Sequence, residues 1–218
     1  DNAMLAVCYQ QAGKYGVNYI LAGTNTSTEG LRMPENWKWF KRDKKNIRNL
    51  GKLRNVKLKT FPAFGTVDYI VAEYLKKTKW ISFLDYLPNY NKFEALDILQ
   101  KKYSYKPYPY KHYESIFTRF YQGFILPVKF GVDKRKNHLS TLILTGQMKK
   151  EEAEKLLLEI PYPSEQELID DIEYFLKKMR WTKDDLMNYL MRPEKPHTLY
   201  GSEKGLWDRL SRIYKFFK

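Results

Sequence analysis

Residues 111–148 hold Lys111, His112, Glu114, Arg119, Lys129, Asp133, Lys134, Arg135 and His138, set among aromatic and aliphatic side chains. An amphipathic core segment does not need so many ionisable types so close together, whereas a pocket for a phosphorylated or carboxylated ligand does. Lys111, Ser115 and Arg119 recur at i, i+4 and i+8, so they fall on one helical face. Two cations in line can grip an oxyanion, the arginine through its bidentate fork. A solvated cationic stripe has the same spacing. Asp133 stands beside two bases, and His138 is of the one type that ordinarily titrates near neutrality, suited to giving or taking a proton. The alternative for this group is a capped helix start, with Asp133 as N-cap. Taken alone, a histidine such as His112 is more often structural than catalytic, and His197, in a loop after Pro196, carries less still.

A second constellation follows Val17–Ala22 (VNYILA), a short apolar run that predicts a buried strand. It ends in Gly23-Thr24-Asn25-Thr26-Ser27-Thr28-Glu29-Gly30. Backbone N–H groups and hydroxyls at that density suit a phosphate, with Glu29 placed to hold Mg²⁺. A turn plus helix cap is the competing description. In open parallel sheets, ligands bind beyond the carboxyl ends of the strands, where this loop lies.

The elements that must position these groups are visible as periodicities. Met4–Tyr15 has helical character, and Lys57–Phe61 suits a second, half-exposed strand. Thr66–Lys77 predicts a helix with Val67, Ile70, Val71 and Tyr74 inward. Beyond it, helical spacing recurs at Phe93–Lys102, Ser115–Ile125, Lys150–Glu159, Glu165–Lys178, Lys183–Met191 and Glu203–Phe217, with prolines between several of them. The expected class is therefore α/β: a partial parallel sheet in residues 1–80, followed by a mostly helical part in residues 81–218.

Charge is unevenly spread. Residues 149–218 carry 14 basic and 14 acidic groups, so the whole net charge of +14 lies in residues 1–148. Such a region attracts anions: nucleotide phosphates, nucleic acid, an acidic glycan or a membrane surface. Cys8 is the sole cysteine, which excludes an internal disulfide and a cysteine-based zinc site and fits a reducing cytoplasm. No apolar run approaches a membrane span and no signal peptide is seen. Asp1–Ala3, ahead of Met4, look like a remnant of cloning. No Walker A or G-x-S-x-G sequence is present.

Longer strings carry a resemblance. KHYESIFTRFYQ, LPVKFGVDKRKNHLSTLILTGQM, the following EEAEKLL, and RWTKDDLMNYLMRPEKPHTLY are four of them. A Y-N-K-x-E-A element at Tyr90, Asn91, Lys92, Glu94 and Ala95 is a fifth. Over about residues 17–200 the chain resembles the N-acetyl sugar amidotransferase family of bacterial lipopolysaccharide and surface-glycan synthesis. That family belongs to the ATP-pyrophosphatase (PP-loop) superfamily, with an adenine nucleotide alpha hydrolase-like, Rossmann-like sheet.

The resemblance implies ATP and Mg²⁺ as cofactors and a nucleotide-linked N-acetyl sugar as substrate. ATP adenylylates the acetamido oxygen, pyrophosphate leaves, and ammonia from a glutaminase subunit attacks the activated carbon and expels AMP to give an acetamidino sugar. It assigns Gly23, Thr24, Asn25 and Glu29 to nucleotide and metal, since related NAD synthetases have a similar loop. Lys111, His112, Arg119, Lys134 and Arg135 are expected on substrate, and Glu114, Asp133 and His138 in orientation or proton transfer. The family's Ser-Gly-Gly-x-Asp-Ser loop and N-terminal cysteine cluster do not occur here. The expectation is therefore a C-terminal part with weak ATP binding and little turnover by itself. An RNA-binding or tRNA-modifying relative and a non-catalytic scaffold docking a glutaminase are the alternatives. Nucleic acid is disfavoured because no RNP1-type sequence is present, and homo-oligomerisation stays open.

Overall fold

The structure, a computed structural model, describes residues 1–108 and 113–216; the expected ligands Lys111 and His112 lie outside them. In chain order the first elements are α1 (Asn2–Lys14), β1 (Tyr19–Ala22), the single turn α2 (Thr26–Glu29), α3 (Lys44–Leu53), α4 (Thr66–Ile70) and β2 (Lys79–Ser82). Then come α5 (Lys92–Tyr103), α6 (Ile116–Phe120), α7 (Leu126–Phe130), α8 (Lys134–Leu144), α9 (Lys150–Leu158), α10 (Glu165–Met179), α11 (Lys183–Met191) and α12 (Lys204–Phe216). The described residues are thus mostly helical, with one two-stranded parallel sheet. They form two compact units. The first gathers residues 1–23, 34–83 and 194–218, and the second residues 24–33 and 84–193.

In the first unit β1 and β2 pair in parallel, Ile20 opposite Trp80 and Leu21 opposite Ile81. Ile20 and Trp80 join a core of Ala6, Tyr9, Phe64 and Ala72, where Tyr9 stacks on Phe64 at 4.9 Å between ring centroids. Burial, followed by a hydrogen bond to the Glu73 carboxylate, pushes the Tyr9 hydroxyl pKa up, so it stays a donor. The strand expected to be buried is buried on one side only. Tyr19 and Leu21 are 60 % and 66 % exposed, because alternate side chains leave a strand on opposite faces.

Two further expectations are corrected. Lys57–Phe61 is not a strand: Lys59 N–H bends back to the Lys57 carbonyl at 2.9 Å, and Leu58 packs so closely on Gly51 that a Cβ there would lie 2.9 Å from it. The second strand is Lys79–Ser82. The helix at Thr66 leaves α geometry after Ile70 and makes a π-turn over Val71–Leu75. Wider winding rotates the apolar stripe, which leaves Tyr74 exposed and buries Ala72; Val67, ahead of the π-turn, is also exposed.

Asn2 is likewise part of the fold. It is 3 % exposed, its Nδ2 donates to the Phe64 and Lys41 carbonyls at 2.7 and 2.8 Å, and its Oδ1 accepts from Phe64 N–H at 3.0 Å. The polar face of α3 holds residues 197–203 in the same way. Asn46 Nδ2 donates to the Gly201 carbonyl at 3.0 Å and Asn49 Nδ2 to that of Tyr200 at 2.8 Å.

In the second unit α6 and α7 run into each other through a π-turn over Tyr121–Ile125. The turn sits just ahead of Pro127, which has no N–H to continue an α-helical ladder. Gly123 lies in it because the neighbouring chain comes too near for a side chain: an added Cβ would meet the Pro161 carbonyl at 2.4 Å. Gly131, in the left-handed region at φ 63°, ends α7. Phe120, Ile125, Leu176 and Leu186 form one core cluster, and Leu139, Leu142 and Ala153 another.

Lys129, one of the cations in the 111–148 group, caps α11. Its ammonium donates to the carbonyls of Tyr189, Leu190 and Arg192 at 2.8, 3.2 and 2.6 Å. Lys129→Met should keep the stem's packing and lose these charge-assisted bonds. The expected cost is about 1–2 kcal/mol in urea unfolding, with weaker amide protection at the end of α11.

Candidate functional site

The Thr24–Glu29 loop and α8 meet within the second unit. Asn25 caps α2, its Oδ1 accepting from the Thr28 N–H and hydroxyl at 2.9 and 3.1 Å. The turn is too short to satisfy its own carbonyls, and side chains from α8 and the residues after it do so. His138 Nδ1 lies 3.2 Å from the Thr28 carbonyl, and Thr145 Oγ and Gln147 Nε2 donate to that of Ser27 at 3.0 and 2.9 Å. Residues on α8 and just after it thus face this turn.

A carbonyl can only accept, so His138 Nδ1 carries the proton and Nε2 is the accepting nitrogen. Lys92 Nζ stands 3.3 Å from that Nε2. Lys92 is itself fixed: Asn91 caps α5 through the N–H groups of Phe93 and Glu94, and Gln147 Oε1 accepts the Lys92 N–H at 2.7 Å. An ammonium and a ring nitrogen with a defined tautomer thus share one polar point. A cleft of about 500 Å³ lies alongside, lined by Phe93, Gln147, Met148, Glu152, Lys155 and Leu156. Lys134 stands one helical turn before His138 on the same face of α8.

The other expected residues are placed differently. Asp133 caps α8 by accepting the Arg135 N–H at 2.9 Å, as the capped-start description had it. The Arg135 fork grips Asp133, and its Nη1 reaches the carbonyls of Leu156, Glu159 and Ile160 at the end of α9. Arg119 pairs with Asp171 through two bonds of 2.7 and 2.8 Å and with Glu167 at 3.2 Å. Hydrogen bonding to Asp171 raises the arginine's pKa further above its ordinary value. Burial, then Asp171, does the same for Tyr162, whose hydroxyl donates to that acid. Glu114 is exposed just ahead of α6. The structure therefore brings His138 to the loop and engages the Arg119 and Arg135 guanidiniums in bonds between helices.

As a cradle for ATP the loop does not fit. The Thr26 N–H and hydroxyl both donate to the Asp85 carboxylate, at 2.6 and 3.0 Å, and Asn25 takes the Thr28 N–H. A carboxylate where a phosphate would sit repels it. Glu29 is exposed, and among the described residues no three His, Cys, Asp or Glu converge to hold a metal. Gly23 belongs to the first unit, and Thr24, Asn25 and Glu29 to the second.

Sequence reading missed Lys92, Thr145 and Gln147 as partners of His138. The signal for Lys92 was its place in the Y-N-K-x-E-A element, where the asparagine before it is an N-cap type. Gln147 gave no local signal, since its role is to join two segments far apart in sequence.

No curated protein and no solved structure matches the chain. Residues 114–214 match a family model described as "LPS biosynthesis protein WbpG-like, C-terminal domain". The stretch containing α6 to α11, with His138 in it, is therefore similar to that domain and points to a protein of lipopolysaccharide biosynthesis.

Proposed function

We propose that the chain is the sugar-handling, C-terminal part of an ATP-dependent N-acetyl sugar amidotransferase of lipopolysaccharide synthesis, with a Rossmann-like sheet completed around β1 and β2. The observation that carries the reading is the His138–Lys92 pair at the Thr24–Glu29 loop, beside a cleft of ligand size and within the unit that holds most of the lipopolysaccharide-family match. Lys92, with Lys134 on the adjoining face, binds an anionic group of a nucleotide-linked N-acetyl sugar. As Lys92 turns to that anion, it gives up its contact with His138 Nε2. With Nδ1–H held by the Thr28 carbonyl, Nε2 takes a proton from ammonia as it adds to the activated acetamido carbon, from which AMP leaves with the former acetamido oxygen. ATP, Mg²⁺ and the glutaminase belong to this proposal, and no step is assigned to loop 23–29.

The test uses the complete amidotransferase with its glutaminase or with ammonia. Asn places its amide nitrogen near the histidine Nδ1 position, so His138→Asn keeps the bond to Thr28 and removes the base. Turnover should fall about 10²–10³-fold with sugar-nucleotide affinity nearly unchanged, while Lys92→Ala should weaken that affinity about tenfold. Wild-type turnover in His138→Asn together with wild-type affinity in Lys92→Ala would discard the reading.

A further inference from the structure

The first unit holds a basic groove to which the amidotransferase reading gives no role. Residues 38–60 contain ten Lys and Arg against one acid, Asp43. Asp43 is fully buried and engaged by His197, Ser202 and the N–H groups of Asn46 and Glu203. The cations of this stretch therefore meet acids only from elsewhere in the chain: Lys38, Lys41 and Lys44 pair with Glu35, Asp1 and Asp68, and the stretch as a whole stays strongly basic.

α3 places Lys44 and Arg48 four residues apart on one face, and the chain returns along α3 through Lys59–Ala63. Gly51 permits that return, since Leu58 packs where its Cβ would be. The groove so formed has a volume of about 280 Å³ and is lined by Lys44, Arg48, Lys59 and Thr60, with Gln10 of α1 and Pro62 among its other walls. Lys44 is steadied by Asp68 at 2.9 Å. Neither Arg48 nor Lys59 has an acid partner among the described residues. Solvated surface cations normally diverge into water; here a helix and a returning loop bring three of them, with a hydroxyl, to one recess.

We propose that this groove binds a compact, multiply charged oxyanion, a phosphate or diphosphate group, with Arg48 and Lys59 as its main ligands and Lys44 as the positioned third cation. Arginine supplies the fork that matches two phosphoryl oxygens, and lysine a mobile point charge. The small volume favours a compact group over an extended polymer, which would need a long stripe of contacts. Single-stranded RNA is the other ligand that such charge attracts, and it is an outcome of the test.

The experiment is calorimetric titration of the full chain with inorganic pyrophosphate and orthophosphate at about 150 mM salt. Saturable one-to-one binding is expected, tighter for pyrophosphate. Arg48→Ala and Lys59→Ala should each weaken it about tenfold, and Lys150→Ala in the second unit should not. Both groove residues are exposed, so circular dichroism and melting should match the parent chain. Displacement of pyrophosphate by a nucleoside diphosphate assigns a soluble ligand, and displacement by vesicles bearing a phosphate-monoester lipid assigns a headgroup; either supports the site. Unsaturable binding, unaffected variants, or an RNA of about twelve nucleotides that binds tighter than pyrophosphate and is not displaced by it would overturn the proposal. His138→Asn should leave pyrophosphate binding unchanged, so this result and the test of the amidotransferase reading can fail separately.

Discussion

Asp171→Ala should lower the stability of the second unit by about 3–5 kcal/mol, the cost of leaving one member of a buried ion pair unpaired. The carboxylate is 6 % exposed at its side chain and accepts both arms of the Arg119 fork together with the Tyr162 hydroxyl. Its loss leaves a guanidinium that is itself only 21 % exposed with the half-exposed Glu167 as its remaining acid, and strands a tyrosine hydroxyl in the core. Arg119→Met strands the acid instead and should cost a similar amount. Arg119→Met with Asp171→Leu removes both charges and should cost well under the sum of the two single changes. Urea unfolding of the four species gives the coupling energy. A coupling below about 0.5 kcal/mol would mean that the pair does not hold α6 to α10 and that the Arg119 fork is available to a substrate. Near-additivity is therefore also the result that would return Arg119 to the role expected from its i, i+4, i+8 spacing.

That spacing shows what a sequence can and cannot convey. It correctly put Arg119 on a helix, but its partner Asp171 is 52 residues away and lies in a segment whose own periodicity says only "amphipathic helix". Local signals fared well where the physics is local. The helices at Glu165, Lys183 and Lys150 begin at the residues expected of them, and Asp133 is a cap because a side-chain acceptor followed by free N–H groups is satisfied within three residues. Parallel strand pairing is not local. Lys79–Ser82 is four residues long, follows a run of lysines, and is fixed as a strand only by β1, some sixty residues earlier. The π-turns were hidden for a similar reason. Pro127 and Gly123 are visible in the sequence, but the close approach of Pro161 that makes them necessary is not. At the candidate site the histidine and the loop were both legible as reactive types. Lys92, which sets the ring's surroundings, became visible only when a cap on α5 and a carbonyl on α2 were seen to converge on one imidazole.

The second large effect belongs to Asp43, the cap of α3, and it carries a pH signature. Burial alone would raise this carboxyl's pKa. Hydrogen bonds from Ser202, His197, Asn46 N–H and Glu203 N–H outweigh it and hold the value below that of an ordinary carboxylate. A folded-state pKa below the unfolded one means that the carboxylate adds stability above the unfolded value of about 3.9, and that this contribution is lost as pH falls through the folded value. Asp43→Ala leaves two backbone N–H groups and two side-chain donors facing a void, so the cost at neutral pH should be about 3–5 kcal/mol. It should appear first in residues 194–218, which Asp43 ties to α3 through His197, Ser202 and Glu203. Hydrogen exchange should show amides 197–204 losing protection in Asp43→Ala at pH 7, and in the parent chain only below about pH 4. If Asp43→Asn, which keeps an acceptor but no charge, loses protection with the same acid dependence as the parent, the titrating group is not Asp43. If instead its protection becomes flat across that range, the buried carboxylate is the acid-labile fastening of the first unit, and the C-terminal segment is held by one ionised side chain at the start of α3.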